Sequence, residues 1–445
     1  MSLEDICSFA VREAEKKGAE YAEAYAIRNK EYEVFMENND LNQAKSDTTE
    51  RLGIRVFLKR SVGFSSVNIM LRDHIIKAII RAIKIAKVTP ADKFNVMPVK
   101  KNKVKLLKGI YDKNAESFGS AEAGTRAADL LHAARSYDRR VSVDSGNFAS
   151  SVISRSILNS NGVRAKESIT SFSWSIMGMA IDGKEVSNFD FQFGGSHNIK
   201  DIDVLHTGEE FAEIVINSLR SKKIDSFKGE MLLSPLAAAE LIQNTITYSV
   251  NSTSIQKKAS KFEGKVGSVV SSDLLTLEDD ATNIKGLEAS SFDREGLPHQ
   301  RNLIIDRGIL KKFIYNSYTA NKDSTKSTAN AGGPPTSSPI VSTTNVIVNP
   351  GKSKLENLIS EIGKGLIINR FSGNVNPVNG DFSGVVKAGQ YVRNGNIQFA
   401  LKEVMVSGNV FDALHRITGI SKERKLLQDS LLPSIRIDNV SFTAG

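Results

Sequence analysis

The chain carries a single cysteine, Cys7, in 445 residues, so it can form no internal disulfide and no multi-cysteine metal cluster. That absence fits a reducing compartment, and a cytoplasmic location is expected. No stretch approaches the run of about 18 apolar residues that a membrane-spanning helix needs. Residues 1–9 carry Glu4 and Asp5 and no apolar run, so no secretion signal is expected there. Histidine is scarce too: His74, His132, His197, His206, His299 and His415 include no pair three to five residues apart. A helical pair of imidazoles for zinc is therefore excluded at the level of local sequence. The fold must rest on burial alone, and a chain this long can bury about three quarters of its unfolded surface. At about 150 residues per domain, two or three domains are predicted.

The formal charge is +9, and its position matters more than its size. Between Arg72 and Lys108 stand eleven Lys or Arg against two acids, Asp73 and Asp92, which is the whole excess. The remaining sequence is balanced. Lys100–Lys108 holds five lysines and no aromatic residue on which a base could stack, so nucleic acid is not expected. A solvated basic linker is the plain reading of this segment, with a polyanion contact as its alternative.

Ser2 with Asp5 forms a capping-box pattern before an amphipathic run to Lys17, and Gly18 supplies a left-handed stop. Tyr21–Asn68 reads as short strands of an antiparallel sheet. Asp73–Lys87 returns to helical spacing, with Ile75, Ile76, Ile79, Ile80 and Ile83 on one face, packed on that sheet rather than lying on a membrane. Pro90, Pro98 and the lysines make Val88–Lys108 a linker. A short helix is expected near Ala121–Ala134, then a second sheet from about Arg140 to Phe193. There Phe172, Trp174 and Ile176 alternate with serines, and Phe189, Phe191 and Phe193 alternate with Asn188, Asp190 and Gln192. Asn161-Gly162 is a hairpin turn between strands. Glu209–Lys222 is predicted helical. After Lys223–Lys228, a strand at Glu230–Leu233 leads to a helix capped by Ser234 with Pro235 at its first position, running to about Thr247. Asn321–Ser342 is poor in apolar residues and reads as a long mobile loop. From Phe371 to Val406, short strands alternate with Asn379-Gly380 and Asn394-Gly395 turns, and Ile397, Phe399 and Leu401 share one side. The fold class is α+β: helices on an antiparallel sheet in residues 1–222 (sub-regions about 1–90 and 109–222, basic linker 88–108), and a mostly antiparallel β domain in 223–445.

Standard catalytic patterns are largely missing. His197 and His206 stand nine apart across a loop, so lone histidines are the default over a zinc pair. Gly194-Gly195-Ser196-His197 puts Ser beside His, but neighbours on a strand point to opposite faces. Gly351-Lys352-Ser353 follows the apolar strand Val346–Val348 and imitates the end of a phosphate loop. The glycine that such a loop needs five residues earlier is Val346, so a plain connection is expected. Asp279-Asp280 and the Asp293, Glu295 pair read as solvated turn chemistry rather than calcium or acid catalysis.

Several stretches, taken in order, resemble the TldD/PmbA family, once called modulators of DNA gyrase. They are Gly18–Glu23, Gly53-Ile54-Arg55-Val56, Ser61–Ser65 and the Ile-rich helix ending Ala86-Lys87. In the second half they are Asp293-Arg294-Glu295-Gly296-Leu297-Pro298, Gly308-Ile309-Leu310, Asn376–Ser383, Asn394-Gly395 and Val406–Asn409. The resemblance implies a cytosolic metallopeptidase complex in which a metal-bearing subunit pairs with a metal-free one and trims small or unfolded polypeptides. Metal-bearing members carry His-Glu-x-x-x-His on a helix and a Cys near the C-terminus. A spacing of five sets the two His roughly 140° apart on a regular helix, so that helix must be distorted. Alignment puts Gln243, Asn244 and Tyr248 at those positions, and Lys422–Ser434 has no Cys. The resemblance thus implies a PmbA- or TldE-like member with no catalytic or metal-binding residues of its own and no cofactor. Its expected partners are a TldD-like homologue and peptide substrate, with no membrane. Two readings stay open: a stand-alone homodimeric binding or scaffold protein, and a hydrolase with a non-standard metal site built on His197, His206 and acids from elsewhere.

Overall fold

The computed structural model describes residues 1–100 and 103–445; Lys101 and Asn102, inside the expected basic linker, lie outside the described residues. The first half runs α1 (Leu3–Lys16), β1 (Tyr21–Glu37), β2 (Asp40–Leu58), β3 (Ser61–Val67), α2 (Arg72–Val88), α3 (Ser120–Tyr137), β4 (Val141–Asn159), β5 (Arg164–Asp182), β6 (Glu185–Val186), β7 (Asp190–Ser196) and α4 (Val204–Asn217). Local signals open and close these elements as the sequence suggests. Ser2 and Asp5 form the reciprocal capping box on α1, and Gly18 follows that helix at φ +94°.

The two expected N-terminal sheets are one. The described strands of this half form a single sheet in the order β3-β2-β1-β4-β5-β6, with β7 also paired to β5. The join is β1 against β4, antiparallel from Glu23↔Asn159 to Glu37↔Ser145. Pairing partners more than a hundred residues apart leave no trace in local periodicity, which is why two short sheets were expected. The strands are also far longer than the short segments that the alternation suggested, since β2 and β4 each span 19 residues.

Strand alternation divides the sheet's faces cleanly. Ala22, Ala24, Ala26, Leu52, Ile54 and Val56 point to α1 and α2, and are buried with Ile75 and Ile79. Further along the same face, Phe148, Phe172, Trp174 and Ile176 pack with α3 and α4. Trp174 Nε1 donates to Thr207 Oγ1 on α4 at 2.8 Å. The buried stripe of α2 is Ile75, Ala78, Ile79, Ala82, Ile83 and Ala86, whereas Ile80 is 39% exposed, a correction to the all-isoleucine face. Three alanines let the helix settle close to the sheet. Its approach is tightest at Gly63, where a Cβ would fall 1.9 Å from the Ala82 carbonyl oxygen. Gly63→Ala is therefore expected to lower the unfolding free energy by about 1–3 kcal/mol through backbone displacement, read as a drop in urea midpoint. An unchanged midpoint would show that α2 can shift freely.

Helix α4 begins and ends five residues earlier than Glu209–Lys222, because Asp203 caps it by accepting the His206 N–H. β7 inverts the expected burial. Asp190 and Gln192 are the buried residues, at 1% and 5% exposure, while Phe191 and Phe193 are only half-buried. The strand runs along the seam with the second half, so polar partners from there cover its polar face.

Among the described residues, the second half builds a sheet of thirteen strands, mostly antiparallel, with parallel pairs at Val346↔Ser430 and Gly365↔Glu230. The fold is α+β, as expected. Asn379-Gly380 and Asn394-Gly395 turn the chain, both glycines at positive φ. Ile397, however, is 47% exposed on the edge strand Asn396–Ala400. The expected mobile loop 321–342 is an ordered part of the domain. Ala331–Gly332 pairs with Ile340–Val341. Buried Asn330 donates to Asp279 Oδ2 at 2.6 Å and to the Ser342 carbonyl at 3.0 Å, and accepts from Thr328 Oγ1 at 2.7 Å. Side-chain amides and hydroxyls organise this segment where apolar residues are few. No described helix is long and apolar enough to cross a membrane.

Candidate functional site

Strand β8 (Phe227–Leu233) delivers the chain to Ser234, whose Oγ accepts the Ala237 N–H at 3.1 Å and donates to the Asn369 carbonyl at 2.7 Å. Helix α5 (Pro235–Ala238), a π-helical turn over Ala239–Gln243 and α6 (Asn244–Val250) follow without a break. Leu241, Ile242, Ile246 and Val250 anchor this helix in the core. The widened turn ends at Gln243 rather than lying between Gln243 and Tyr248, and Asn244 and Tyr248 sit on regular helix.

The three matched positions do not converge. Gln243 is 5% exposed and its Nε2 donates to Asp429 Oδ1 at 3.3 Å, while its Oε1 is buried with no partner. Asn244 is exposed, and Tyr248 is half-buried. Asp429 lies in the turn between the strands Ile417–Leu426 and Ser430–Ala444, so the C-terminal hairpin does reach this helix. Sequence reading missed Asp429 because the contact spans 186 residues; the polar Asp429-Ser430 turn was its only trace. The donor set tests poorly for zinc. Two neutral amides and a phenol are weak ligands, and the nearby carboxylate is engaged by Gln243. Among the described residues no three His, Cys, Asp or Glu side chains are placed to share a metal ion.

Around the helix runs a polar seam with the first half. Glu240 Oε2 accepts the Phe371 N–H at 2.6 Å, and burial pushes this carboxyl up. Burial likewise pushes Asp190 up to about 6, against the pull of Arg370, whose Nε stands 3.9 Å away. A carboxyl held there can exchange a proton near neutral pH, but Asp190 is 1% exposed and Arg370 lies over the Phe191 ring. Its geometry suits a structural contact. Lys425 Nζ completes the seam, reaching Gln192 Oε1 and Glu210, each at 2.6 Å.

The other candidates resolve into structural roles. His197 faces the Thr170 carbonyl through Nδ1 at 2.6 Å and the Gly286 carbonyl through Nε2 at 3.1 Å, so it clasps the two halves together. His206 is exposed on α4, and the two do not form a pair. Ser196 Oγ donates to the Asn198 carbonyl, away from His197. At Gly351 the backbone packs on Ile420, and the first helical N–H beyond it, at Leu355, is taken by Glu423 Oε2 at 3.0 Å, where a phosphate would sit.

Asp279, Asp293 and Glu295 are buried, not solvated, while Asp280 is half-buried and accepts the Thr282 N–H at 2.9 Å, the expected turn chemistry. Asp279 accepts from Thr344 N, Thr344 Oγ1 and Asn330, and burial pushes it up to about 6. Asp293 accepts three backbone N–H groups, from Glu295, Leu297 and Ala331, while burial and the Glu295 charge push it up. Arg294 and Glu295 then meet the sheet face opposite α1 and α2. Arg55 Nη2 lies 2.7 Å from Glu23 Oε2 and 3.2 Å from Glu295 Oε1; Arg294 Nη1 lies 3.1 Å from Glu23 Oε1 and stacks over Tyr25. Beside them Arg155 pairs with Glu167 and donates to the Phe292 carbonyl at 2.8 Å. Three of the sequence stretches singled out at the start thus close one buried network.

Three family models match in chain order: PmbA/TldA metallopeptidase domain 1 over residues 22–86, the PmbA/TldA metallopeptidase central domain over 113–219, and the PmbA/TldA metallopeptidase C-terminal domain over 226–444. Metalloprotease PmbA of Escherichia coli is 25% identical over 456 residues, covering 98% of this chain and 96% of its own. A metalloprotease TldD homolog of Buchnera aphidicola is 24% identical over 445 residues, covering 96% and 88%. The crystal structure of TldE from Thermococcus kodakarensis shares the fold, with a TM-score of 0.92 at 23% identity over 98% of this chain and 100% of that one.

Proposed function

This chain belongs to the PmbA/TldD metallopeptidase family, and we propose that within it the chain is the subunit without a metal centre. It pairs in the cytoplasm with a metal-bearing homologue, and the pair trims small or unfolded polypeptides. The observation that carries this reading is the side-chain set on the helix from Pro235 to Val250. That helix is capped, widened and anchored as a site-bearing element, yet it offers Gln243, Asn244 and Tyr248 where imidazoles and a carboxylate are required. Asp429 alone cannot complete a tetrahedral zinc site. A site built on His197 and His206 finds no support, since His197 is buried with its ring nitrogens facing backbone carbonyls and His206 is exposed on α4.

The test is metal content and activity of the chain alone and mixed with a homologue bearing His-Glu-x-x-x-His. The expected result is no stoichiometric zinc in the chain alone, co-elution of the two, and cleavage of an unfolded peptide only where the homologue is present. Zinc at one per chain, or cleavage by the chain alone, would overturn the reading.

A further inference from the structure

A cleft of about 830 Å³ opens where the basic segment passes between the two halves, away from the helix bearing Gln243. One wall is the linker around Val96–Lys100 with Lys103 and Val104. The second is the start of β5 at Val163 and Arg164, and the third is the Gly296–Gln300 turn with the chain from Ser317 to Ala329. The linker wall is tied on both sides. Asn159 Nδ2 donates to the Pro98 carbonyl at 2.9 Å and Asn161 Nδ2 to the Met97 carbonyl at 3.1 Å, while Asn321 Nδ2 holds the Phe94 carbonyl at 2.9 Å.

Charge and polarity in the cleft are one-sided. Lys100, Lys103, Arg164 and Lys326 line it from three separate stretches of chain, and no Asp or Glu is among the lining residues. Glu4 reaches Arg164 at 3.5 Å but does not itself line the cleft. Val96, Met97, Val104, Val163, Leu297 and Pro298 supply an apolar surface between the cations. His299 adds no charge: burial, with Arg155 nearby, holds its imidazole down at about 3. Lys100, Lys103 and Lys326 have no acid partner among the described residues, and cations so gathered repel one another, a repulsion that an anion relieves. A volume of this order suits a small ligand that buries an apolar body and fixes its orientation through a few polar groups. Two residues of the basic 72–108 segment, Lys100 and Lys103, line this cleft.

We propose that this cleft binds a small amphiphilic anion, an apolar body bearing one carboxylate whose head group meets Lys100 and Lys326. The proposal is independent of the metal-free subunit reading. Two sources share this chemistry, a fatty acid and the free C-terminus of an apolar peptide, and titration calorimetry on the full chain separates them. The probes are decanoate against decanol, and an N-acetylated apolar tripeptide as free acid against its amide. At least one acid is expected to bind ten times more tightly than its neutral counterpart, and whichever acid binds identifies the source. Lys100→Glu and Lys326→Glu, both exposed and outside any ion pair found among the described residues, should each weaken that binding at least threefold with an unchanged melting temperature. Failure of both acids to bind, equal binding of the neutral forms, or wild-type binding by both charge-reversed variants would overturn the proposal.

Discussion

Arg55→Met is expected to lower the unfolding free energy by about 3–5 kcal/mol, the cost of leaving a buried charge without its partner. Arg55 is 7% exposed, and it alone bridges Glu23 of the sheet and Glu295 of the second half. Burial works against its charge, yet the two carboxylates outweigh that and raise its pKa. Methionine keeps most of the volume and removes the guanidinium, so Glu295 would lose the cation it has among the described residues while Glu23 keeps Arg294. Neutralising the orphaned carboxylate as well, in Arg55→Met/Glu295→Gln, should recover a substantial part of the loss, because the penalty lies in unpaired charge rather than in lost packing, and Glu23 keeps Arg294 at 3.1 Å. Urea unfolding gives both numbers. The single variant should also separate one transition into two, since the network ties the N-terminal sheet to the Asp293–Pro298 turn. A loss below about 1 kcal/mol, the range of exposed pairs, would mean that water reaches the network.

The same network shows what could be read in advance. Glu23, Arg55 and the Asp293–Pro298 stretch were each visible as part of a family resemblance, but nothing local said that they touch. Turn and cap chemistry is short-range, so Ser2 with Asp5, Asn161-Gly162 and Asn394-Gly395 were legible from the sequence. Strand pairing is long-range, so the β1–β4 join was not. Alternation in β7 was legible as a pattern but misleading as a burial rule. Arg370 and Lys425 arrive from the second half to satisfy Asp190 and Gln192, and the polar side becomes the deeper one. Low apolar content in 321–342 misled in a similar way, because Asn330 and Thr328 hold that segment by hydrogen bonds instead of by area. At the candidate site, the identities of Gln243, Asn244 and Tyr248 came from the family pattern; the approach of Asp429 came only from the fold.

His299 should make the chain less stable as pH falls below about 6.5, in a way that other groups partly conceal. Burial, reinforced by Arg155, holds the folded-state imidazole at about 3 against its ordinary 6.5. The unfolded chain therefore takes up a proton over a range in which the folded chain does not. The sign follows: this contribution is fully present above 6.5 and is lost on acidification, at about 1.4 kcal/mol per pH unit, until the folded imidazole itself titrates. Asp190 and Asp279 act in the opposite sense. Each is raised from 3.8 to about 6, so the stability that each contributes is present below 3.8 and is lost as pH rises through 6. Between pH 4 and 6 the histidine and the two aspartates oppose one another, and a wild-type stability curve alone cannot resolve them. The difference between wild type and His299→Gln can. That difference should shift in favour of the variant by about 1.4 kcal/mol for each pH unit between 6.5 and 4.5, measured from urea midpoints. Asp279→Asn should tilt the curve the other way over the same interval. Parallel curves for His299→Gln and wild type would mean that the imidazole protonates in place, with water admitted to the wall of the cleft that it lines.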